Sequence, residues 1–211
     1  MPGLFLSFEG IDFSGKSEQC RRLFERLLER GYDNVEFLRE PGGVPIAEAI
    51  REIVLDGRNS GLNERTELLL YSAARAQITG ERIKPALASG RIVIADRYVD
   101  STLAYQGVGR QLDLDLVRAV SRFATWALLP DRTFLLDVPV QAAAERQRVL
   151  GRSGDRIERE AADFHERVRE SYLDMARREP ERFVVLDGTP SAEAVSAEIW
   201  SILRRQFGLK L

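Results

Sequence analysis

The residues with the densest chemistry are Phe8-Glu9-Gly10-Ile11-Asp12-Phe13-Ser14-Gly15-Lys16-Ser17. From Gly10 to Ser17 they fit G-x-x-x-x-G-K-[ST], the loop that wraps the phosphates of a nucleoside triphosphate. Gly10 and Gly15 let the main chain turn tightly and aim its N–H groups inward. The intervening Ile11, Asp12, Phe13 and Ser14 then contribute backbone donors to the same cradle. A helix N-terminus behind the loop adds the favourable end of its dipole. The Lys16 ammonium suits the β- and γ-phosphates, and the Ser17 hydroxyl suits Mg²⁺.

Triphosphate binding does not name a reaction, because GTPases, motor ATPases and small-molecule kinases share this loop. The chain lacks the N-K-x-D that reads guanine. Arg39, Arg75 and Arg97 lie in or beside expected loops, or on a helix with polar neighbours. They supply the guanidinium forks that a second phosphorylated ligand needs. Asp96-Arg97-Tyr98 follows directly on the apolar run 92–95, and ligands of open α/β sheets gather at the carboxyl ends of strands. Residues 146–158 carry Arg146 and Arg148 and then Gly151-Arg152-Ser153-Gly154-Asp155-Arg156-Ile157-Glu158. Two glycines among arginines read as a mobile basic flap; the plain alternative is a solvated charge run. A closing flap excludes water, directs a phosphoryl group to an acceptor, and brings arginines to the transition-state charge.

These residues need elements to hold them. The apolar run 4–8 leads into the loop, and Cys20, Leu23, Phe24, Leu27 and Leu28 follow at helical spacing until Gly31. Further strands are expected at 35–38, 92–95, 133–138 and 183–186. Helical stripes appear at Ile46, Ile50, Ile53 and Val54, and at Leu116, Val117, Val120, Phe123, Ala124 and Ala127. Helices are also expected at 64–79, 83–88, after Pro139, at 161–178 and at 192–207, with a short polar helix or turn at 101–107. Five apolar strands alternating with helices argue a doubly wound α/β fold, a parallel sheet covered on both faces. Strand order is not readable at this level.

Composition narrows the classes. The chain has 211 residues, 44% hydrophobic and 30% charged, enough for one α/β domain across 1–211. A net charge of −2 argues against a nucleic-acid partner, including a nucleic-acid-dependent ATPase. Cys20 is the single cysteine, so no intrachain disulfide forms, and its place on the first helix stripe reads as a small buried hydrophobe. No apolar run approaches the ~18 residues of a membrane span. The N-terminus lacks a signal peptide's charged start, so a cytoplasmic location is expected. His165 falls on a polar helix face and reads as structural.

The ordered segments resemble the thymidylate kinase family along nearly the whole chain. They are Phe8-Glu9-Gly10-Ile11-Asp12, Arg39-Glu40-Pro41-Gly42-Gly43, Tyr71-Ser72-Ala73-Ala74-Arg75, Asp96-Arg97-Tyr98, Ala104-Tyr105-Gln106-Gly107 and Asp155-Arg156-Ile157-Glu158. The phosphate loop is a weak marker, whereas R-E-P-G-G, D-R-Y and Y-Q-G together are highly specific. The resemblance implies transfer of the ATP γ-phosphate to dTMP with Mg²⁺, a five-stranded parallel sheet and a homodimer. By position, Gly10 to Ser17 would hold ATP, with Lys16 on its phosphates and Ser17 and Asp96 serving Mg²⁺. Asp12 would face the acceptor's 3′-hydroxyl, and Arg39 and Arg97 its phosphate. Tyr71 would stack on thymine, Arg75 would bond its edge, and Ser101 and Gln106 would line the same pocket. Arg146, Arg152 and Arg156 would close over the phosphates. The nearest alternatives are a kinase for dUMP or a UMP/CMP-type acceptor, and a non-catalytic nucleotide-binding regulator. Phe13 departs from the family's usual glycine or arginine, Glu18 from a frequent threonine, and Val44 from a common threonine. With Phe13 uncharged, the resemblance is to members that carry their catalytic arginine on the lid.

Overall fold

Runs rich in β-branched and aromatic residues form the strands, and amphipathic stretches between them form the helices. The computed structural model describes residues 3–151 and 154–209. In chain order the elements are β1 (Leu4–Glu9), α1 (Lys16–Glu29), β2 (Val35–Arg39), α2 (Pro45–Leu55), α3 (Glu64–Ile78), α4 (Lys84–Ala88) and β3 (Ile92–Asp96). There follow α5 (Val99–Thr102), α6 (Leu114–Thr125), β4 (Arg132–Asp137), α7 (Val140–Val149), α8 (Ala162–Arg178), β5 (Phe183–Asp187) and α9 (Ala192–Phe207). Among the described residues no helix is long and apolar enough to cross a membrane.

The sheet is parallel throughout, in the order β2-β3-β1-β4-β5. Side chains alternate between its faces, and both faces are covered. Leu6, Phe8, Ile92, Ile94, Phe134 and Leu136 pack on one side against Leu23 and Leu27 of α1 and Ile199, Trp200 and Leu203 of α9. On the other side Phe5, Val93 and Ala95 meet Ala74 and Ile78 of α3, and Leu135 meets Val168 and Tyr172 of α8. Because the strands run the same way, their carboxyl ends share one rim. Each ends on an ionisable residue: Glu9, Arg39, Asp96, Asp137 and Asp187.

Two helical joints differ from the expected breaks. Residues 79–83 form a π turn that joins α3 to α4 without a gap, with Lys84 N–H bonded back to Thr79 C=O. Pro85 cannot donate within the helix and crowds the preceding turn, which the wider coil relieves. A second π turn, Leu103–Gly109, continues α5 and carries Tyr105 and Gln106. A short 3₁₀ turn, Gly57–Asn59, follows α2.

Two apolar stripes also face differently from the simplest expectation. In α2 the core takes Ala47 and Val54 and part of Ile50, while Ile46 is 57% and Ile53 46% exposed. In α6 it takes Val117 and Ala124, while Phe123 is 88% exposed and Leu116 also faces outward. These helices carry more apolar surface than one chain's core can cover.

Candidate active site

The phosphate loop lies between β1 and α1. Gly10 and Gly15 adopt φ of 140° and 96°, conformations that glycine reaches without strain. A Cβ on Gly10 would stand 2.6 Å from the Leu136 carbonyl oxygen, so the tight approach of loop to β4 also needs glycine. Phe13 is left-handed as well, at φ 61°, which explains in physical terms why glycine suits this position. Its ring packs at the edge of the cluster that includes Ile11, Val138 and Ile157.

Lys16 starts α1 and is buried; its ammonium donates to the Ile11 carbonyl at 3.3 Å and lies 3.9 Å from Asp12. Burial and the nearby Arg97 charge pull its pKa down, opposed by Asp12, Asp96 and Glu9. Ser17 is exposed at the first turn of the same helix. Glu18 is held by Arg21 and Arg22, at 2.8 and 2.6 Å, so the departure at this position arrives with its own counter-charges.

Arg97, left-handed at φ 72°, follows β3 and reaches back to the loop. Its guanidinium donates to Asp12 Oδ1 at 2.5 Å, Gly10 C=O at 3.2 Å, Ser101 Oγ at 3.1 Å and Tyr105 OH at 3.1 Å. Asp12 also accepts from Tyr105 OH at 2.8 Å. Burial would raise the Asp12 carboxyl, but Arg97 and Lys16 hold it down at about 2. Beneath this group lies Glu9, fully buried. It accepts from Tyr98 N–H at 2.7 Å, Ser101 Oγ at 2.6 Å and Tyr172 OH at 2.7 Å, and burial pushes its carboxyl up.

A second set lies on β2, α3 and the turn after α5. Arg75 is buried and donates to Glu40 at 2.6 Å and to the Thr102 hydroxyl. Burial raises the Glu40 carboxyl to about 7, against the opposing pull of Arg75. Arg39, half-exposed, pairs with Glu48 at 2.7 Å, and Glu48 also accepts the Gly43 N–H at 2.6 Å. Tyr71 is half-buried, and burial pushes its phenol up. Gln106 donates to Glu67 at 2.9 Å. Val44 is buried with Leu38, Ala47 and Ile78, so this departure joins the core.

One cleft of about 910 Å³ gathers these groups. Asp12 to Ser17, Arg39, Tyr71, Arg75, Asp96, Arg97, Ser101, Gln106 and Arg146 all line it. Asp96 and Ser17 offer oxygen to a hard cation here. Asp96 is buried, and its Oδ1 makes no hydrogen bond among the described residues, as an oxygen waiting for a metal's water shell would.

The flap arginines divide. Arg146 bonds the carbonyls of Phe13, Ser14 and Gly188, bracing the loop from behind. Arg156 turns away from the loop to the Val54 carbonyl at 2.9 Å and to Glu67 at 2.7 Å. Arg152 lies outside the described residues. Asp155, Ile157 and Glu158 line the cleft.

Sequence reasoning missed Glu9, Glu67, Tyr105, Tyr172 and Arg51. Arg51 bonds the Pro41 carbonyl at 2.9 Å and lines the cleft. Tyr105 adjoins Gln106 and was findable there; Tyr172 is indistinguishable from a core position on its helix.

A sequence model of the family described as thymidylate kinase matches residues 8–199. Thymidylate kinase from Desulforudis audaxviator is 47% identical over 204 residues, covering 97% of this chain and 91% of that one. The Geobacter sulfurreducens thymidylate kinase is 48% identical, covering 95% and 96%. The crystal structure of thymidylate kinase from Ehrlichia chaffeensis superposes with a TM-score of 0.78 at 33% identity, covering 96% and 99% of the two chains. Matched in sequence and in fold over nearly its whole length, the chain belongs to the thymidylate kinase family.

Proposed function

We propose that the chain transfers the γ-phosphoryl group of ATP to the 5′-phosphate of dTMP, giving dTDP and ADP on the way to dTTP. One observation carries this reading. The phosphate loop and the Tyr71, Arg75 and Gln106 group line a single cleft, with Asp12 and Arg97 bonded to each other within it.

An acceptor phosphate dianion is already nucleophilic, so positioning and charge neutralisation do the work, with no strong base required. Gly10 to Ser17 hold the triphosphate, and Lys16 neutralises its β- and γ-oxygens. Arg97 and Arg39 hold the acceptor phosphate, exchanging Asp12 and Glu48 for it. Asp12, released, faces the sugar hydroxyl. Ser101 keeps Arg97 in place, Tyr71 stacks on the base, and Arg75 and Gln106 bond its edge. Ser17 and Asp96 would hold Mg²⁺, which would supply charge neutralisation and alignment of the phosphates. The family requires a divalent metal, and Mg²⁺ is the ion these hard oxygens suit. Residues 1–211 act as one domain whose flap, about 146–158, closes over the phosphates. Arg146 serves the phosphates through the loop that it braces. The working unit is a homodimer in the cytoplasm, joined through the uncovered apolar faces of α2, α3 and α6. That proposal is supported by the exposure of Ile53, Leu69, Phe123 and Trp126.

A coupled assay of ADP release with dTMP, dUMP, CMP or no acceptor tests the reading. Turnover should be fastest with dTMP and near background without acceptor. Preference for CMP would reassign the acceptor, and ATP binding without turnover would favour the non-catalytic regulator.

A further inference from the structure

We infer that Glu67 is the positioning residue that decides which end of the Gln106 amide meets the acceptor base, and so favours pyrimidines with a ring N–H. The inference rests on the proposed reading of Gln106 as a wall of the base pocket.

Glu67, Tyr71 and Arg75 stand four residues apart on α3, along one helix face. The Glu67 side chain is 1% exposed, and its two oxygens are fully engaged. Oε1 accepts from Gln106 Nε2 at 2.9 Å and Arg110 Nε at 3.2 Å. Oε2 accepts from Arg110 Nη2 at 3.1 Å and lies 2.7 Å from Arg156 Nη2. Burial opposes ionisation, but Arg110, Gln106 and Arg156 outweigh it and keep the carboxyl below its usual range.

An ionised carboxylate can only accept hydrogen bonds. Gln106 must therefore turn its NH₂ towards Glu67. Its amide oxygen makes no hydrogen bond among the described residues, and Gln106 lines the cleft. The end left for a ligand is an acceptor. It complements the N3–H of thymine or uracil and repels the N3 lone pair of cytosine. The 5-methyl group plays no part in this selection. Arg110 and Arg156 hold Glu67 charged, so they hold the amide indirectly. The flap's Arg156 thus serves the base end of the cleft.

Glu67→Gln tests this, because an amide at 67 can donate as well as accept and frees Gln106 to reverse. The readouts are the KM for dTMP, the Ki of dCMP as its competitor, and the KM for ATP. The ratio of dCMP Ki to dTMP KM should shrink about tenfold, the effect of one misplaced buried hydrogen bond, with the ATP KM moving less than about twofold. An unchanged ratio overturns the inference. Gln106→Ala separates the two levels. If it leaves the dTMP KM unmoved, the base-pocket reading fails. If it raises that KM while Glu67→Gln leaves the ratio unchanged, only the role of Glu67 fails. Should Glu67→Gln not fold, the native protein labelled with ¹⁵N-glutamine answers directly. The Gln106 NH₂ protons should exchange slowly with and without dTMP, and loss of that protection on adding dTMP would overturn the inference.

Discussion

Arg97 shows how much one residue must satisfy. Its left-handed backbone is a conformation that costs a non-glycine residue of order 1 kcal/mol, and it persists because the guanidinium bonds to the loop, Ser101 and two tyrosines. Its carboxylate partner is Asp12, whose pKa falls from 3.8 to about 2 in the folded protein. The lowered value means that folding gains from the ionised form above the unfolded pKa and loses that gain as pH falls through the folded one. At about 1.4 kcal/mol per unit, the gain is roughly 2 kcal/mol. Asp12→Asn should therefore cost about that much in urea unfolding at pH 7, and the gap to the native protein should narrow by roughly half at pH 3. A gap independent of pH would show that Asp12 is not held ionised by its neighbours. Asp12, Lys16 and Arg97 were legible because their types and spacing match a phosphate chemistry. Glu9 was not: it ends an apolar strand, and its role depends on Tyr98, Ser101 and Tyr172, brought to it from distant parts of the chain.

At the scale of elements, the turn that carries Ser101 and Thr102 is anchored from below. Asp100, fully buried in α5, takes a two-pronged bond from Arg182, just before β5, at 2.6 and 2.8 Å. Thr133 of β4 joins them, and Ser7 of β1 bonds Thr133 at 2.8 Å. This network ties β1, β4 and the start of β5 to the segment behind Arg97. Arg182→Met should destabilise the fold by about 3 kcal/mol in chemical unfolding, because it strands a buried carboxylate. The double change with Asp100→Asn should recover part of that loss; no recovery would show that the pair is not what matters. Periodicity located the helices well and the direction of their faces poorly. Ile46, Ile53, Leu116 and Phe123 satisfy helical spacing as well as the buried positions do. A spacing rule counts apolar residues without saying which surface covers them. The π turns were illegible for a related reason, since apolar spacing does not distinguish a locally wider coil from an α-helical turn.

Across the whole molecule, the class of fold followed from alternation of strands and helices, but the order β2-β3-β1-β4-β5 depends on pairings between distant segments. The exposed apolar residues belong to this scale too. If α2, α3 and α6 form the proposed dimer face, Phe123→Asp should convert a dimer to a monomer in sedimentation analysis while the monomer keeps its helical circular dichroism. A wild-type chain that sediments as a monomer at micromolar concentration would rule the dimer out. The cleft itself carries a final implication. The guanidinium of Arg97 is pinned by the chain's own oxygens. A long, flexible cation normally forfeits up to about 2 kcal/mol of rotamer entropy when a ligand immobilises it. Here that loss is incurred as the chain folds, so an arriving phosphate swaps partners on a rigid fork instead of having to still a moving one.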